Sequence, residues 1–305
     1  MRRELIEASE LLRRQTPEAV EQAVDLLQGT VYSFSMSICG HREDAEDTMQ
    51  DVLFRSLAHL ARFPDPEALA AWLYTVTKNR CRRIRRPGAQ LAPKMISLQE
   101  LMPDEAELQR LLKTESHSPE DKLLEAEQHN LLHKAVLELP PTLRVVLVLH
   151  DMEELTTDQV ARILDLRPGT VAVRLHRGRL ILRREMNRLL KGNSSPSAEG
   201  LRVSDIPARH TRAKRSVHCK DLFARLSDYL DGKLPPATCR QIEAHMHACP
   251  NCVAFLSDLR ASIDRCRNPQ IPCDPKVASR LRALFTQEYL RMLGHLPHEN
   301  VKIVS

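Results

Sequence analysis

Three features of the 305-residue sequence predict an all-α fold. Glycine is 9 of 305 residues and aromatics are 4%, both low for sheets, which lean on aromatic side chains and place glycine at their turns. Apolar residues recur at three-to-four spacing through several long segments, the period of a helix face. The glycine-dependent phosphate loops of nucleotide-binding α/β folds, G-x-G-x-x-G and G-x-x-x-x-G-K-[ST], are both missing from the sequence. At about 100 to 200 residues per domain, the length fits two or three small units better than one large core.

The first unit, residues 15–88, is predicted to hold three helices. One runs from about Pro17 to Cys39 and stops at the polar break Gly40-His41. The next, from about Glu43 to Phe63, has Ala45, Met49, Val52, Leu53, Ser56 and Leu60 as its buried stripe, and Pro64 and Pro66 close it. The third, about Ala68 to Arg86, carries Leu69, Leu73 and Val76 on one face. It runs into a basic block containing Lys78, Arg80, Arg82, Arg83, Arg85 and Arg86 without one acid.

Residues 89–117 read as a proline-punctuated linker with one short acidic helix near Asp104 to Leu112. A second unit, 118–191, opens on Ser118-Pro119-Glu120-Asp121, an N-cap followed by proline at the first helical position and acids in the first turn. Helices are expected from there to about Pro140, from Pro141 to Asp151, from Thr156 to Leu164 and from Gly169 to Leu190. Residues 192–215 are rich in Ser, Pro, Gly and charge and read as a tether. The third unit, 216–294, starts with a helix headed by Cys219 that turns Leu222, Leu226, Tyr229 and Leu230 inward and ends at Asp231-Gly232. It closes with an amphipathic helix around Val277 to Leu293.

Lys plus Arg is 45 against 40 for Asp plus Glu, a net charge of +5, but the charge is uneven. Besides the block after Lys78, the stretch from Arg174 to Lys191 holds Arg174, Arg177, Arg179, Arg183, Arg184, Arg188 and Lys191 against the single Glu185. Two separated basic surfaces suit a polyanion touched at two places; the plainer reading is two solvated helix faces. Arg2 and Arg3 lead into Glu4, Glu7 and Glu10 rather than an apolar core, so no secretory signal is expected. No apolar run approaches the roughly 18 residues of a membrane span. These features predict a cytoplasmic protein with no membrane contact.

Thr156 to Leu166 and Thr170 to Arg179 are two helical segments joined by Arg167-Pro168-Gly169, the second of them rich in arginine. Such a pair forms a helix-turn-helix, whose second helix fits the major groove, where arginine can contact guanine in bidentate fashion; a plain αα-hairpin is the alternative. Thr170 is expected to cap that helix and aim free amides at a phosphate. On the second helix of the first unit, Asp47, Gln50, Asp51 and Phe54 share a face away from the core stripe. That face is either solvated or a docking face for a protein.

Six of the 8 cysteines fall between Cys219 and Cys273, a cluster that in a reducing compartment suits metal binding or redox sensing better than disulfides. In His245-x-x-x-Cys249-Pro250-Asn251-Cys252 the Cys-x-x-Cys turn places two thiolates on one tetrahedral ion, and a histidine one helical turn earlier supplies a third ligand. Cys219 is the best fourth ligand, with His218 and Cys239 as rivals, while Cys266 and Cys273 lie outside the motif.

The segments His41-Arg42-Glu43-Asp44-Ala45-Glu46-Asp47-Thr48-Met49-Gln50-Asp51-Val52-Leu53 and Ala71-Trp72-Leu73-Tyr74-Thr75-Val76-Thr77-Lys78-Asn79-Arg80-Cys81 resemble region 2 of the sigma-70 family. Its extracytoplasmic-function (ECF) group is the nearest match. Glu138-Leu139-Pro140-Pro141, Gly169-Thr170-Val171 and Arg174-Leu175-His176-Arg177-Gly178-Arg179 resemble region 4. The two resemblances cover roughly residues 15 to 86 and 118 to 190. Cys219 to Leu234, with the His-Cys-Cys cluster, is similar to the zinc-binding anti-sigma fold, in which a lone upstream Cys or His completes the site.

The resemblance implies that Asp47, Gln50 and Asp51 bind core RNA polymerase through its clamp helices. Trp72, Asn79, Arg80 and Arg83 would grip the minus-10 element of promoter DNA, and the loop of Phe63 to Ala70 would hold an extruded base. Aromatic and basic groups there offset the few kcal/mol of lost stacking. Arg174, Arg177 and Arg179 would read the minus-35 element. Two places depart from the family pattern. Gly178 stands where alanine is common, which weakens a helix by about 1 kcal/mol, and Ala172-Val173 replace the usual Lys-Ser and remove polar contacts.

The expected protein is therefore an ECF-type sigma factor and not an enzyme, with a zinc domain that packs on regions 2 and 4 and restrains them in cis. A structural zinc suits a unit of some 50 residues with little core; thiolates that release metal on oxidation would make it a switch. A conventional helix-turn-helix regulator acting without polymerase is the alternative. A zinc hydrolase is disfavoured, because a Cys3His set leaves no open position for water.

Overall fold

The computed structural model describes residues 1–60, 63, 65–84, 101–103, 107–108, 111, 125–190, 217–267 and 271–294. Among these, all regular structure is helical. The predicted tether lies outside the described residues, as do Ser118-Pro119-Glu120-Asp121 and most of the predicted linker with its acidic helix. The chain packs as two compact units. One joins Met1–Gln90 with Val148–Pro168 and Asn268–Ser305, and the other joins Leu91–Leu147 with Gly169–Arg267.

The first unit is built round α2 (Pro17–Cys39). Its start is fixed by Thr16, whose side chain accepts from the Ala19 amide, with Pro17 at the first helical position. Its end is fixed by Gly40 at φ 75, whose amide donates to the Met36 carbonyl. Val20, Val24, Leu27 and Phe34 are fully buried, because helices pack on α2 from several sides. One of them, α1 (Arg3–Arg14), is absent from the sequence-based expectation. Leu5, Ala8, Leu11 and Leu12 bury its stripe, but four arginines and three glutamates in the first 14 residues mask that period in composition.

The helix α3 (Arg42–Leu60) and α4 (Pro66–Ile84) complete the three-helix core. Asp65 starts α4 by accepting from the Ala68 amide at 2.7 Å, so the helix begins two residues earlier than the periodicity suggested. After α6, described below, the chain enters a π-helical segment, Val148–Met152, and then α7 (Thr157–Leu164). A capping box between Thr156 and Gln159 starts α7. The last helix, α12 (Pro275–Met292), turns Leu281, Phe285, Tyr289 and Leu290 inward and packs on α2 and α3. Side chains of this size each contribute roughly 1.5–3 kcal/mol when fully buried.

The second unit contains α5 (Glu125–Glu138), α6 (Pro141–Leu147) and α8 (Pro168–Leu190), whose first residue belongs to the other unit. The expected helix Pro141 to Asp151 is thus α-helical only to Leu147. Val171, Leu175, Leu182 and Met186 line the buried side of α8. The remaining helices, α9 (Val217–Leu230), α10 (Pro236–Ala248) and α11 (Pro250–Asp264), share a small core of Leu222, Phe223, Leu226, Ile242, Phe255 and Leu259.

Candidate functional site

Pro250 at the first position of α11 forces a corner directly after α10. Cys249 sits at that corner with Cys252 one turn into α11, and His245 lies in the last turn of α10. Cys219 comes from the first turn of α9. The His245 Nε2 is 3.4 Å from the Cys219 Sγ and 3.3 Å from the Cys252 Sγ. The four ligand atoms of Cys219, His245, Cys249 and Cys252 all lie within 4.8 Å of one another.

A tetrahedral ion with bonds of about 2.0 to 2.3 Å holds its ligand atoms about 3.5 to 3.8 Å apart, so three thiols and an imidazole at these separations fit one closed metal centre. Burial, then the adjoining Cys249 and Cys219 thiols, push the Cys252 thiol up from its ordinary value. Three neighbouring thiolates there need a cation. Of the rival ligands, Cys239 donates its S–H to the Leu234 carbonyl instead, and the His218 side chain lies outside the described ones. Cys266 is buried and bonded to the Ser262 carbonyl.

On α3, Asp47 and Gln50 are exposed. Asp51 is partly buried between Arg55 at 2.9 Å and Arg80 at 3.4 Å. Two residues assigned to different partners, Asp51 to polymerase and Arg80 to DNA, are therefore paired with each other. Phe54, at the end of the same stripe, lies 6.3 Å from the Phe285 ring of α12. On α4, Trp72 stacks at 5.7 Å from Phe63 and 5.3 Å from His59, which makes a small aromatic cluster beside the expected minus-10 helix. Asn79 is exposed, and the Arg83 side chain lies outside the described ones.

Along α8 the predicted readers divide. Arg174 and Arg177 stay partly exposed. Arg179 is 2% exposed and pairs with Asp231 at 2.8 Å, with the Ser227 carbonyl at 3.4 Å. One turn on, Arg183 is 1% exposed, pairs with Asp258 at 2.8 Å and with Glu107, and lies 4.3 Å over the Phe255 ring. His176 completes the face, 2.8 Å from the Ser227 Oγ. Burial, then the Arg179 and Arg177 charges, hold its pKa down to about 4. The helix begins at Pro168, so Thr170 is not its cap but sits within its first turn.

Sequence reading missed Arg183, His176 and their acidic partners. The signal was present, since His176, Arg179 and Arg183 recur at three-to-four spacing. Read as basic surface, that spacing pointed to DNA; the carboxylates that meet it lie far away in the chain.

Comparison with protein families matches residues 23–88 to sigma-70 region 2, residues 129–182 to sigma-70 region 4 and residues 219–252 to a zinc finger. The chain belongs to the sigma-70 family, in its ECF group. The ECF RNA polymerase sigma factor SigW of Bacillus subtilis is 27% identical to this sigma factor over 176 residues, which cover 56% of the chain and 91% of the relative. The ECF sigma factor SigE of Mycolicibacterium smegmatis is 28% identical over 166 residues, 54% of the chain and 59% of the relative. The ECF sigma-E factor of Escherichia coli is 24% identical over 148 residues, 48% and 76% respectively. Within this sigma factor, the buried arginines Arg179 and Arg183 lie at and just past the end of the region 4 match, and Asp231 lies inside the zinc-finger match. No helix among the described residues is long and apolar enough to cross a membrane.

Proposed function

We propose that this sigma factor brings core RNA polymerase to promoters and initiates transcription, and that its C-terminal zinc domain restrains it in cis. In this reading Asp47, Gln50 and Asp51 dock on the polymerase, while Phe63, Trp72, Asn79, Arg80 and Arg83 capture the melted minus-10 strand. Thr170, Arg174 and Arg177 meet the minus-35 element first, and Arg179 joins them once freed. Cys219, His245, Cys249 and Cys252 hold zinc, which when bound ties α9 to the α10–α11 corner and keeps their shared core closed.

One observation carries the restraint. Arg179 and Arg183, basic groups on the helix assigned to DNA, are held by Asp231 and Asp258 of the zinc domain. A buried arginine with a carboxylate partner cannot also neutralise a phosphate, so the two contacts exclude each other. The packing of α12 on α3 beside Phe54 supports a second restraint, on the polymerase-docking face.

Run-off transcription with purified core polymerase tests both parts. The full chain should initiate weakly and a chain ending at Lys191 several-fold more strongly. Asp47→Ala with Asp51→Ala should abolish initiation from either. Equal activity of the full and shortened chains would remove the restraint; duplex binding without transcription from any form would leave a conventional regulator.

A further inference from the structure

A buried polar cluster in the first unit joins three distant parts of the chain and has no place in the functions above. Arg2 and Glu153 are 3% and 1% exposed and pair at 2.8 Å. The Tyr74 hydroxyl donates to the same Glu153 oxygen at 2.5 Å, and Arg2 Nε also reaches the Met152 carbonyl at 3.1 Å. Tyr74 belongs to α4, Arg2 leads into α1, and Glu153 stands between the π-helical segment and α7. Beyond this cluster, α7 lies along α4, where Lys78 donates to the Ile163 carbonyl at 2.8 Å.

The cluster is incompletely satisfied. Arg2 Nη1, Arg2 Nη2 and Glu153 Oε1 are buried without hydrogen-bond partners. A buried ion pair gains little over an apolar pair of the same shape, and half-satisfied groups recover their hydration as soon as the site opens. An open cavity of about 380 Å³, lined by Arg2, Arg3, Glu4, Glu7, Met152 and Glu154, brings water to its edge. The adjoining backbone is unusual too. A π-helix is rare and marks functional sites, and Glu154 holds φ 55, a left-handed conformation that favours glycine.

We propose that Arg2, Tyr74 and Glu153 form a polar latch that holds the entry of the helix-turn-helix, α7, on α4, and that its release precedes promoter engagement. Unlike apolar glue, such a latch specifies one closed arrangement and lets it open into water. While α7 occupies α4, Lys78 is committed to Ile163 rather than to a phosphate. The geometry stands on its own; only the consequence for promoters rests on the sigma-factor reading above.

The test uses the full chain, hydrogen–deuterium exchange over Thr157–Leu164 and Pro66–Arg80, and run-off transcription at limiting polymerase. Tyr74→Phe and Glu153→Gln should each speed exchange in α7 on the order of tenfold, the effect of losing a hydrogen bond to a buried charge, and should raise transcription. Arg2→Met with Glu153→Leu, an apolar pair of similar volume, should slow α7 exchange and lower transcription. Unchanged α7 exchange in the single variants would overturn the latch, as would a double variant that opens like the singles, since that is mere loss of packing. Faster α7 exchange with unaltered transcription, where the parent chain transcribes, would overturn the step before promoter engagement. If no form transcribes, the sigma-factor reading fails and the exchange rates alone decide the latch.

Discussion

Gly178 shows how one residue sets local stability without touching any partner. It sits mid-helix in α8, where glycine costs roughly 0.5 to 1 kcal/mol relative to alanine. An added Cβ would meet the Leu143 carbonyl and Leu147 side chain at 3.5 Å, an ordinary contact distance. Gly178→Ala should therefore stabilise the second unit by about 0.5 to 1 kcal/mol, seen as a rise in its thermal midpoint. His176 sets a pH dependence on the same helix. Its folded pKa, about 4, lies below the ordinary 6.5, so between these values the unfolded chain binds more protons. Stability from this group is complete above about pH 6.5 and declines towards pH 4, with a slope of at most about 1.4 kcal/mol per pH unit. Thermal melts at pH 7 and pH 5 should show His176→Gln losing less stability on acidification than the parent chain.

At the scale of elements, the corner between α10 and α11 depends on its ligands. Cys249 makes no side-chain capping bond there, and the core shared by α9, α10 and α11 is small for an independent unit. Removing metal with a chelator, or Cys252→Ser, should lower helicity and speed amide exchange across Val217–Asp264 while leaving α2 and α3 protected. Circular dichroism and exchange mass spectrometry would report this, and retained protection at Pro236–Asp264 would mean that the helices close without the ion. The elements differ in how openly the sequence announced them. Caps and prolines marked α2, α7 and α11, because these signals act locally. The helix α1 carried a clear apolar stripe, yet its charges hid it, and the π-helical turn at Val148–Met152 has no local signature.

For the whole molecule, a net charge of +5 conceals an internal cancellation. Arg179 and Arg183 spend their charge on Asp231, Asp258 and Glu107. A chain ending at Lys191 exposes them. Its duplex binding should then depend more steeply on salt, the slope of log K against log salt growing by about 0.9 for each freed phosphate contact, about 2 in all. Titrations of both forms on one duplex at several salt concentrations measure this; parallel slopes would show that neither arginine reaches phosphate. The last helix belongs to the same scale. Its amphipathic stripe, Leu281, Phe285 and Tyr289, was readable, but that it packs on α2 and α3 was not.

The sequence by itself determined the helical class, the sigma-70 segments and the Cys-x-x-Cys turn with its histidine, because each rests on residues within a few helical turns of one another. It also marked Cys219 as the fourth ligand, since few other donors lay upstream. Tertiary structure alone decided what each charged face meets. Arg179 finds Asp231, Arg80 finds Asp51 and Arg2 finds Glu153 across 52, 29 and 151 residues of chain. A pattern of charges along one helix fixes its face but not its partner, which only the packing of distant elements supplies.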